Sequence, residues 1–258
     1  MGGAWRSQIV LEEAIQYHSV PNDVWQPQGD SMIVVNRHGQ RVFNEKRNYH
    51  DRARVHHHYD PNQAEFPNQL LFMIYDQRTA ELYGGNHPIP EKPAGAPYVI
   101  AGDTWDALAG AIQARLEALS ASTGGMRLAP GFTQALGTTV ERFNGFARHG
   151  KDEDFQRGEF AYDLEYRPLF GLPRQGTRWG DSAGKNPVMF PLQEQGPYYC
   201  IILAPGTLDT NGGPVINAQA QVMRYDNQPV PGLMVPATAL PARPTTPIGR
   251  VGARWASA

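Results

Sequence analysis

The chain has 258 residues, of which 41% are hydrophobic and 19% charged, enough to bury a core in one large domain or two small ones. Its 23 basic and 25 acidic residues give a formal charge of −2, which excludes a strong field for nucleic acid or an anionic membrane. No apolar run approaches the ~20 residues of a membrane span. The only cysteine, Cys200, cannot form an internal disulfide and suits a reducing compartment. We therefore expect a cytoplasmic globular protein.

The first predicted element is a hairpin within the sequence NRHGQRVFNEKRNY, residues 36–49. Two short β-prone runs, residues 31–36 and 41–43, flank His38 and Gly39, and glycine tolerates the positive φ of a tight turn. Further along, LLFMIY at residues 70–75 is a continuous apolar run of strand length. Such a run predicts a strand that is buried on both faces.

Two helices are predicted in the middle of the chain. The first begins behind Asp103 and Thr104, either of which could cap it, and the second ends at Gly150. The apolar stripes are Trp105, Leu108, Ala109, Ile112, Leu116 and Leu119 in the first helix, and Phe132, Leu136, Val140, Phe143 and Phe146 in the second.

The remainder of the chain is less regular. Residues 151–191 show little periodicity, which predicts a long structured loop region. Strand character returns at residues 198–203 and 221–225. Together these elements predict an α+β fold, in which two main helices pack on small sheets.

Two local patterns resemble cofactor sites without matching them. GDSAGK, residues 180–185, has three residues between its glycines where a phosphate loop needs four, and Asn186 replaces the Ser or Thr that would hold magnesium. Residues His56, His57 and His58 are of a type that binds metals, but three consecutive side chains diverge in a helix or a strand. We therefore expect no metal site.

The sequence GPYYCIILAPGTLDTNGGPVINAQAQVMRYDNQPVPGL, residues 196–233, gives the strongest indication of function together with the hairpin. Both resemble the FAD-dependent oxidoreductases of the fumarate reductase and 3-ketosteroid dehydrogenase superfamily. In that family a hairpin of the form VN-x-x-G-x-R-x-x-NE opens the substrate-capping domain, and P-Y-Y, T-x-G-G and PGL mark the return into the flavin domain. The resemblance extends over nearly all of residues 5–233 and implies FAD as the cofactor.

The resemblance also implies a domain organisation. Residues 1–11 would end the first flavin-domain segment, residues 12–206 would form the capping domain, residues 207–233 would return to the flavin domain, and residues 234–258 would be a disordered or frameshifted tail. The Gly-x-Gly-x-x-Gly run that lets a pyrophosphate approach bare backbone is absent among the 27 glycines. We therefore expect a fragment of an enzyme that by itself does not bind FAD tightly.

Site residues follow from the same resemblance. In ketosteroid dehydrogenases a tyrosine ends the segment NE-x-x-x-Y, where fumarate reductase relatives have an arginine, and here it is Tyr49. A phenol suits removal of a proton next to a ketone, although an ordinary half-buried tyrosine is the alternative. The resemblance further implies substrate contacts at Tyr198 and Tyr199, and cofactor contacts at Thr210, Gly212, Gly213 and Gly232.

Two functions remain open at this point. The first is an enzyme that dehydrogenates or reduces an apolar keto substrate such as a 3-ketosteroid, with hydride passing to the flavin and the α-proton to Tyr49. The second is an inactive remnant that at most binds a ligand or another subunit. Because a cap covers its inner wall with the flavin domain, an isolated cap is expected to self-associate through that exposed face.

The sequence after Leu233 departs from the family. Relatives continue with a run like Y-G-A-G-N-C and then Y-x-G-x-G-x-T-L-G, whose tyrosine polarises the ketone, whereas this chain has MVPATALPARPTTPIGRVGARWASA. Reading the genetic code one base earlier permits Y-G-A-G-N-C and, further on, Tyr at the codon that overlaps Ile248, Gly, Gly, Thr and Leu at those that overlap residues 252–255, and Gly at the one that overlaps Ala256. We therefore expect that a single-base deletion near the Leu233 codon shifted the frame, and that residues 234–258 are extended and poorly packed.

Overall fold

The structure, a computed structural model, describes residues 3–17, 27–165, 168, 171–179, 184–211 and 214–234. They fall into two compact units. The larger unit runs from Arg6 to Gly206, and the smaller unit contains residues 3–5 and the described residues from Thr207 onward. The expectation for residues 234–258 lies outside the described part of the chain, apart from Met234.

Most of a five-stranded sheet lies in the larger unit. The strands are β1 (Gly3–Val10), β2 (Met32–Val35), β3 (Leu71–Asp76), β4 (Val99–Gly102) and β5 (Tyr198–Asn211). Their order is β1-β5-β3-β2, and β4 also pairs with β5. The pairs β2–β3, β3–β5 and β4–β5 are antiparallel. All six residues of β3 are buried, which confirms the strand predicted from the apolar run.

Seven α-helices are described: α1 (Leu11–Tyr17), α2 (Tyr49–Ala53), α3 (Gln77–Tyr83), α4 (Trp105–Ala118), α5 (Ser120–Thr123), α6 (Phe132–His149) and α7 (Ala161–Glu165). Short 3₁₀ turns cover Arg54–His57 and Pro93–Gly95. The two long helices confirm the prediction. The hydroxyl of Thr104 accepts a hydrogen bond from the Ala107 amide at 3.1 Å, and Gly150 ends α6 with φ of +86°.

The sheet is covered on both faces, as continuous apolar strands require. Successive residues of a strand point to opposite faces. Ile33 and Val35 therefore pack with α4 and α6, whereas Met32 and Val34 pack with residues of α3. The described residues form a mixed structure of helices and small antiparallel sheets, and none of the helices within them is both long and apolar enough to span a membrane.

The predicted hairpin forms, but its second arm is shorter than expected. The Asn36 amide donates to the Gln40 carbonyl at 2.9 Å, and Gly39 turns the chain with φ of +74°. A Cβ at Gly39 would lie 2.8 Å from backbone atoms of α6, so the turn needs glycine. The strand predicted over residues 41–43 is wrong. Only an isolated bridge joins Arg41 to Val35, because the chain turns away at once.

The smaller unit contains an antiparallel pair, β6 (Gln221–Met223) and β7 (Pro229–Met234). The strand predicted over residues 221–225 is therefore too long. Residues 224–228 form the connecting turn, in which the Arg224 amide donates to the Gln228 carbonyl at 2.8 Å and Asn227 has φ of +61°. The domain limits inferred from the family resemblance stay a prediction.

Candidate active site

Tyr49 is the first residue of α2 and is half-buried. The preceding residue, Asn48, is the N-cap, and its side-chain oxygen accepts a hydrogen bond from the His50 amide at 2.8 Å. The side-chain nitrogen of Asn48 donates to the Tyr162 hydroxyl at 3.3 Å. The side chain of Asn48 therefore both caps the start of α2 and connects it to Tyr162.

Arg52 anchors α2 to the rest of the domain. Its side chain is buried, its Nε donates to the Arg47 carbonyl at 2.8 Å, and its Nη1 donates to Oε1 of Gln8 in β1. Burial lowers the pKa of Arg52 to about 9. Because residues three apart are neighbours on a helix surface, this buried guanidinium belongs to the same face of α2 as Tyr49.

His56, the first of the three consecutive histidines, also contacts Gln8 and so has a structural role. Its Nε2 lies 3.1 Å from Nε2 of Gln8, and its Nδ1 lies 3.0 Å from the Gln69 carbonyl. A neutral ring satisfies both contacts if Nδ1 carries the proton, and burial lowers the pKa of His56 to about 4. Within the described ranges, no three His, Cys, Asp or Glu side chains are grouped as a metal site requires.

The hairpin motif contributes a buried ion network to the larger unit. Arg41 donates from Nε and Nη2 to the two carboxylate oxygens of Glu45, each at 2.8 Å, and from Nη2 to Asp152 at 2.8 Å. Burial opposes the charge on Glu45, but Arg41 and then Arg157 outweigh it and hold the pKa of Glu45 at about 2. Glu45 is therefore ionised in the interior although it is fully buried.

Arg157 completes this network although it is not exposed at all. Its guanidinium donates to Glu45 at 3.3 Å and to backbone carbonyl oxygens of four residues. These residues are Met32 (2.7 Å), Val188 (3.0 Å), Gly29 (3.3 Å) and Asp30 (3.3 Å). A buried arginine with this many acceptors joins the sheet, the hairpin and the following loop into one unit.

Asn44 ties the hairpin to the segment before α7. Its Nδ2 donates to Asp163 at 2.8 Å, and the same carboxylate oxygen accepts from the Gly158 amide at 2.8 Å. Asn44 and Glu45 of the hairpin motif thus both attach it to the rest of the larger unit through their side chains. The stretch from Asn44 to Ala53, which contains Tyr49, is consequently fixed near both of its ends.

Tyr198 and Tyr199 are adjacent in β5 and lie on opposite faces of the sheet. Tyr198 is 2% exposed, stacks on Trp105 with a centroid distance of 3.7 Å, and donates to the Gln193 carbonyl at 3.0 Å. This is the setting of a core residue. The predicted substrate contacts of the two tyrosines therefore cannot belong to a single face, and they stay a prediction.

Tyr199 is half-buried and begins a chain of hydrogen bonds across α3. Its hydroxyl donates to Gln77 at 2.5 Å, and the amide nitrogen of Gln77 donates to Glu81 at 2.8 Å. Glu81 also accepts from Arg178 at 2.7 Å and from the Trp179 indole at 2.7 Å. Burial raises the pKa of Tyr199, so this hydroxyl is a hydrogen-bond donor rather than a base at neutral pH.

The predicted cofactor residues lie between residues 207 and 233. Gly232 has φ of +75°, and among the described residues no atom beyond its chain neighbours lies within 4 Å of the place that a Cβ would occupy, so its backbone could admit a flat flavin ring. Thr210 lies in β5. Gly212 and Gly213 lie outside the described residues. The sequence lacks the Gly-x-Gly-x-x-Gly run that would bind the pyrophosphate of FAD. The residues named here could therefore contact FAD only at its flavin ring.

A cleft of about 580 Å³ lies near α2, lined by Asn36, Val42, Arg54, Val55, His57, His58, Pro67 and Asn68. A second, of about 780 Å³, is lined by residues of α4 and of the segment that leads into α6. Neither is lined by Tyr49, Tyr198 or Tyr199. Tyr49 therefore lies outside both of these clefts.

Comparison with known proteins places this chain among flavoproteins. Residues 22–234 match the family of FAD binding domains. The chain is 36% identical over 217 residues to 4-oxocyclohexanecarboxylate 2-dehydrogenase of Sinomonas cyclohexanicum, which covers 82% of this chain and 32% of that protein. It is 33% identical over 211 residues to 3-oxosteroid 1-dehydrogenase of Mycolicibacterium smegmatis, which covers 78% of this chain and 31% of that protein.

One solved structure supports the fold. The 3-ketosteroid delta1-dehydrogenase from Sterolibacterium denitrificans, in complex with 1,4-androstadiene-3,17-dione, superimposes with a TM-score of 0.54. The two sequences are 20% identical, and the match covers 90% of this chain and 37% of that one. The chain spans about a third of the length of the curated relatives that it matches.

Proposed function

Because this chain belongs to the family of FAD binding domains, we propose that it forms part of an FAD-dependent oxidoreductase that dehydrogenates or reduces a keto substrate with an apolar ring, such as a 3-ketosteroid. The observation that carries this proposal is the family match over residues 22–234. Relatives that match most of the chain are named as dehydrogenases of cyclic ketones.

FAD, when bound, accepts hydride from the carbon next to the one that loses a proton. Tyr49 is the residue of this chain that we assign to the proton. Its oxygen, as phenolate, takes the proton from the carbon beside the ketone while the carbon–carbon double bond forms.

We further assign residues 12–206 to the substrate-capping domain and residues 207–233 to the return into the flavin domain. Gly232 supports this assignment because its bare backbone admits a flat ring. The alternative, an inactive remnant that only binds a ligand or a subunit, predicts no turnover in any context. One chimeric enzyme distinguishes the active oxidoreductase from the inactive remnant.

In that chimera, residues 6–206 replace the corresponding segment of the Mycolicibacterium smegmatis 3-oxosteroid 1-dehydrogenase, so that the recipient supplies the flavin site. We expect a yellow protein that oxidises a cyclic ketone, measured by mass spectrometry of the product. A chimera that binds FAD but oxidises neither a 3-oxosteroid nor 4-oxocyclohexanecarboxylate would favour the remnant.

A further inference from the structure

Arg47 is half-buried, and its guanidinium stacks on an aromatic ring. The Cζ atom lies 3.4 Å from the centroid of the Phe160 ring, which is stacking distance. Across the described part of the chain, this guanidinium has neither a hydrogen bond nor an ion pair. Its N–H donors are therefore available at the edge of the stacked plane.

Every other arginine whose side chain is described as buried or half-buried has a polar partner. The pairs are Arg37 with Glu65, Arg41 with Glu45, Arg78 with Asp30, Arg115 with Glu12, Arg157 with Glu45, and Arg52 with Gln8. A guanidinium that is partly removed from water without an acceptor carries a desolvation cost. Arg47 lacks such a polar partner among the described residues. An anionic ligand would supply an acceptor and so offset the desolvation cost of its guanidinium.

The position of Arg47 relative to Tyr49 is fixed by the backbone. Arg47 precedes Tyr49 by two residues, and Asn48 between them is extended, with φ of −52° and ψ of 143°. Residues two apart in a chain have Cα atoms no more than about 7 Å apart, so Arg47 and Tyr49 are close neighbours. The Arg47 amide donates to the Asn44 carbonyl at 3.1 Å, and the Arg47 carbonyl accepts from Arg52 at 2.8 Å.

We propose that Arg47 binds a carboxylate of the substrate, so that the ketone handled by Tyr49 belongs to a cyclic keto acid rather than to a neutral steroid. This inference rests on the function proposed above and names the substrate class of the same site. The planar fork of an arginine matches the two oxygens of a carboxylate. Stacking on Phe160 holds the fork in one orientation and leaves its edge open.

The competing explanation is that Arg47 only covers Phe160. That role depends on the stacked plane and is indifferent to the charge of a ligand. Binding of an acid and of its neutral ester therefore separates the two roles. The probes are 4-oxocyclohexanecarboxylate and its methyl ester, which differ in charge but share the ring and the ketone.

The experiment titrates the full chain with each probe by calorimetry. We expect the acid to bind at least about 10-fold more tightly than the ester, as hydrogen bonds to charged groups allow. Arg47→Gln should abolish this preference, and Arg47→Lys should restore part of it. Arg54→Gln, which removes an exposed arginine from the nearby cleft, should leave it unchanged.

Three results would overturn the inference. Equal binding of acid and ester by the native chain, or a preference that survives Arg47→Gln, would show that Arg47 does not recognise the carboxylate, while the proposal of a keto substrate would stand. Binding of neither probe would show that this chain holds no such site. Failure of the proposed function itself would appear instead in the chimera, as FAD binding without oxidation of any ketone.

Discussion

Arg41 holds Glu45 by two parallel hydrogen bonds of 2.8 Å in the interior of the domain. The side chain of Arg41 is 4% exposed and that of Glu45 is not exposed at all. Arg157 adds a second cation to the same carboxylate at 3.3 Å. An ion pair of this kind contributes little beyond what an apolar pair would, but the loss of one partner leaves an uncompensated charge.

The first prediction therefore concerns Glu45→Gln. We expect this change to lower the free energy of unfolding by about 3 to 5 kcal/mol, because two buried guanidinium groups lose their shared anion. Urea denaturation followed by circular dichroism measures the effect. The matched control is Asp154→Asn, which breaks the exposed pair with Arg142 and should cost less than about 1 kcal/mol. Equal effects of the two changes would contradict the network.

The second prediction is a pH dependence centred on His56. Burial lowers its folded-state pKa to about 4, from 6.5 as the ordinary value. The unfolded chain therefore takes up a proton first as the pH falls, so the contribution of His56 is fully present above pH 6.5 and is lost between pH 6.5 and 4. Asp76 acts in the opposite sense, since burial raises its pKa to about 6, from 3.8, and its carboxyl favours folding as the pH falls through that range.

The change His56→Gln separates these two effects. Glutamine can still accept from Gln8 and donate to the Gln69 carbonyl, but it does not titrate. We expect the variant to gain stability as the pH falls from 6 to 4, whereas the native chain loses stability or stays level. Thermal unfolding at several pH values measures this, with the exposed His58→Gln as control. A variant that follows the native profile would rule out His56 as the titrating group.

Local pattern sufficed to predict α4 and α6, because an apolar stripe and a cap are both encoded within one stretch of sequence. The same holds for Gly39, whose turn needs a positive φ. The long-range contacts of the hairpin motif, which precedes Tyr49, could not be predicted from local sequence patterns. Asp152 lies 111 residues from Arg41, and in sequence it resembles any charged residue of a solvated loop. Only the packing of the loop against the hairpin gives it a partner.

A similar reason explains the strands that were not predicted. β4 has four residues, two of them Ala101 and Gly102, and its existence depends on pairing with β5 rather than on propensity. Gln8 in β1 likewise has no local signal. It matters because Arg52 and His56 both bond to it from α2 and the following turn.

The third prediction assigns chemistry to Tyr49. In the chimera described above, Tyr49→Phe removes the proton acceptor but keeps the ring, so turnover should fall by about 10²- to 10⁴-fold. Binding of the ketone should change little, because the ring remains. Tyr59→Phe, at an exposed tyrosine of the same region, provides the control. Turnover within a few-fold of the parent chimera would show that Tyr49 is an ordinary half-buried tyrosine.

The fourth prediction concerns the cofactor. The chain offers the bare backbone of Gly232 to a flavin ring but no Gly-x-Gly-x-x-Gly for the pyrophosphate, which supplies much of the affinity for a dinucleotide. We therefore expect that FAD titrated into the purified chain shows no saturable quenching of flavin fluorescence at low micromolar concentration. A stoichiometric complex in this range would mean that other residues bind the pyrophosphate.

The last prediction concerns the reading frame after Leu233, where the match to the family ends at residue 234. If the code is read one base earlier, most shifted codons keep a free base, but two do not. The codon across Met234 and Val235 must be GGT, and the one across Trp255 and Ala256 must be GGC, because ATG and TGG are the single codons of their residues. Both encode glycine. Both also fall where the family runs Y-G-A-G-N-C and Y-x-G-x-G-x-T-L-G require glycine. We therefore expect that one base inserted after the Leu233 codon opens a frame that encodes Y-G-A-G-N-C and, at the codons that overlap Arg254, Trp255 and Ala256, the T-L-G that ends the second run, and that it restores the tyrosine that polarises the ketone. Sequencing the gene measures this directly, and a shifted frame without that T-L-G would refute the deletion.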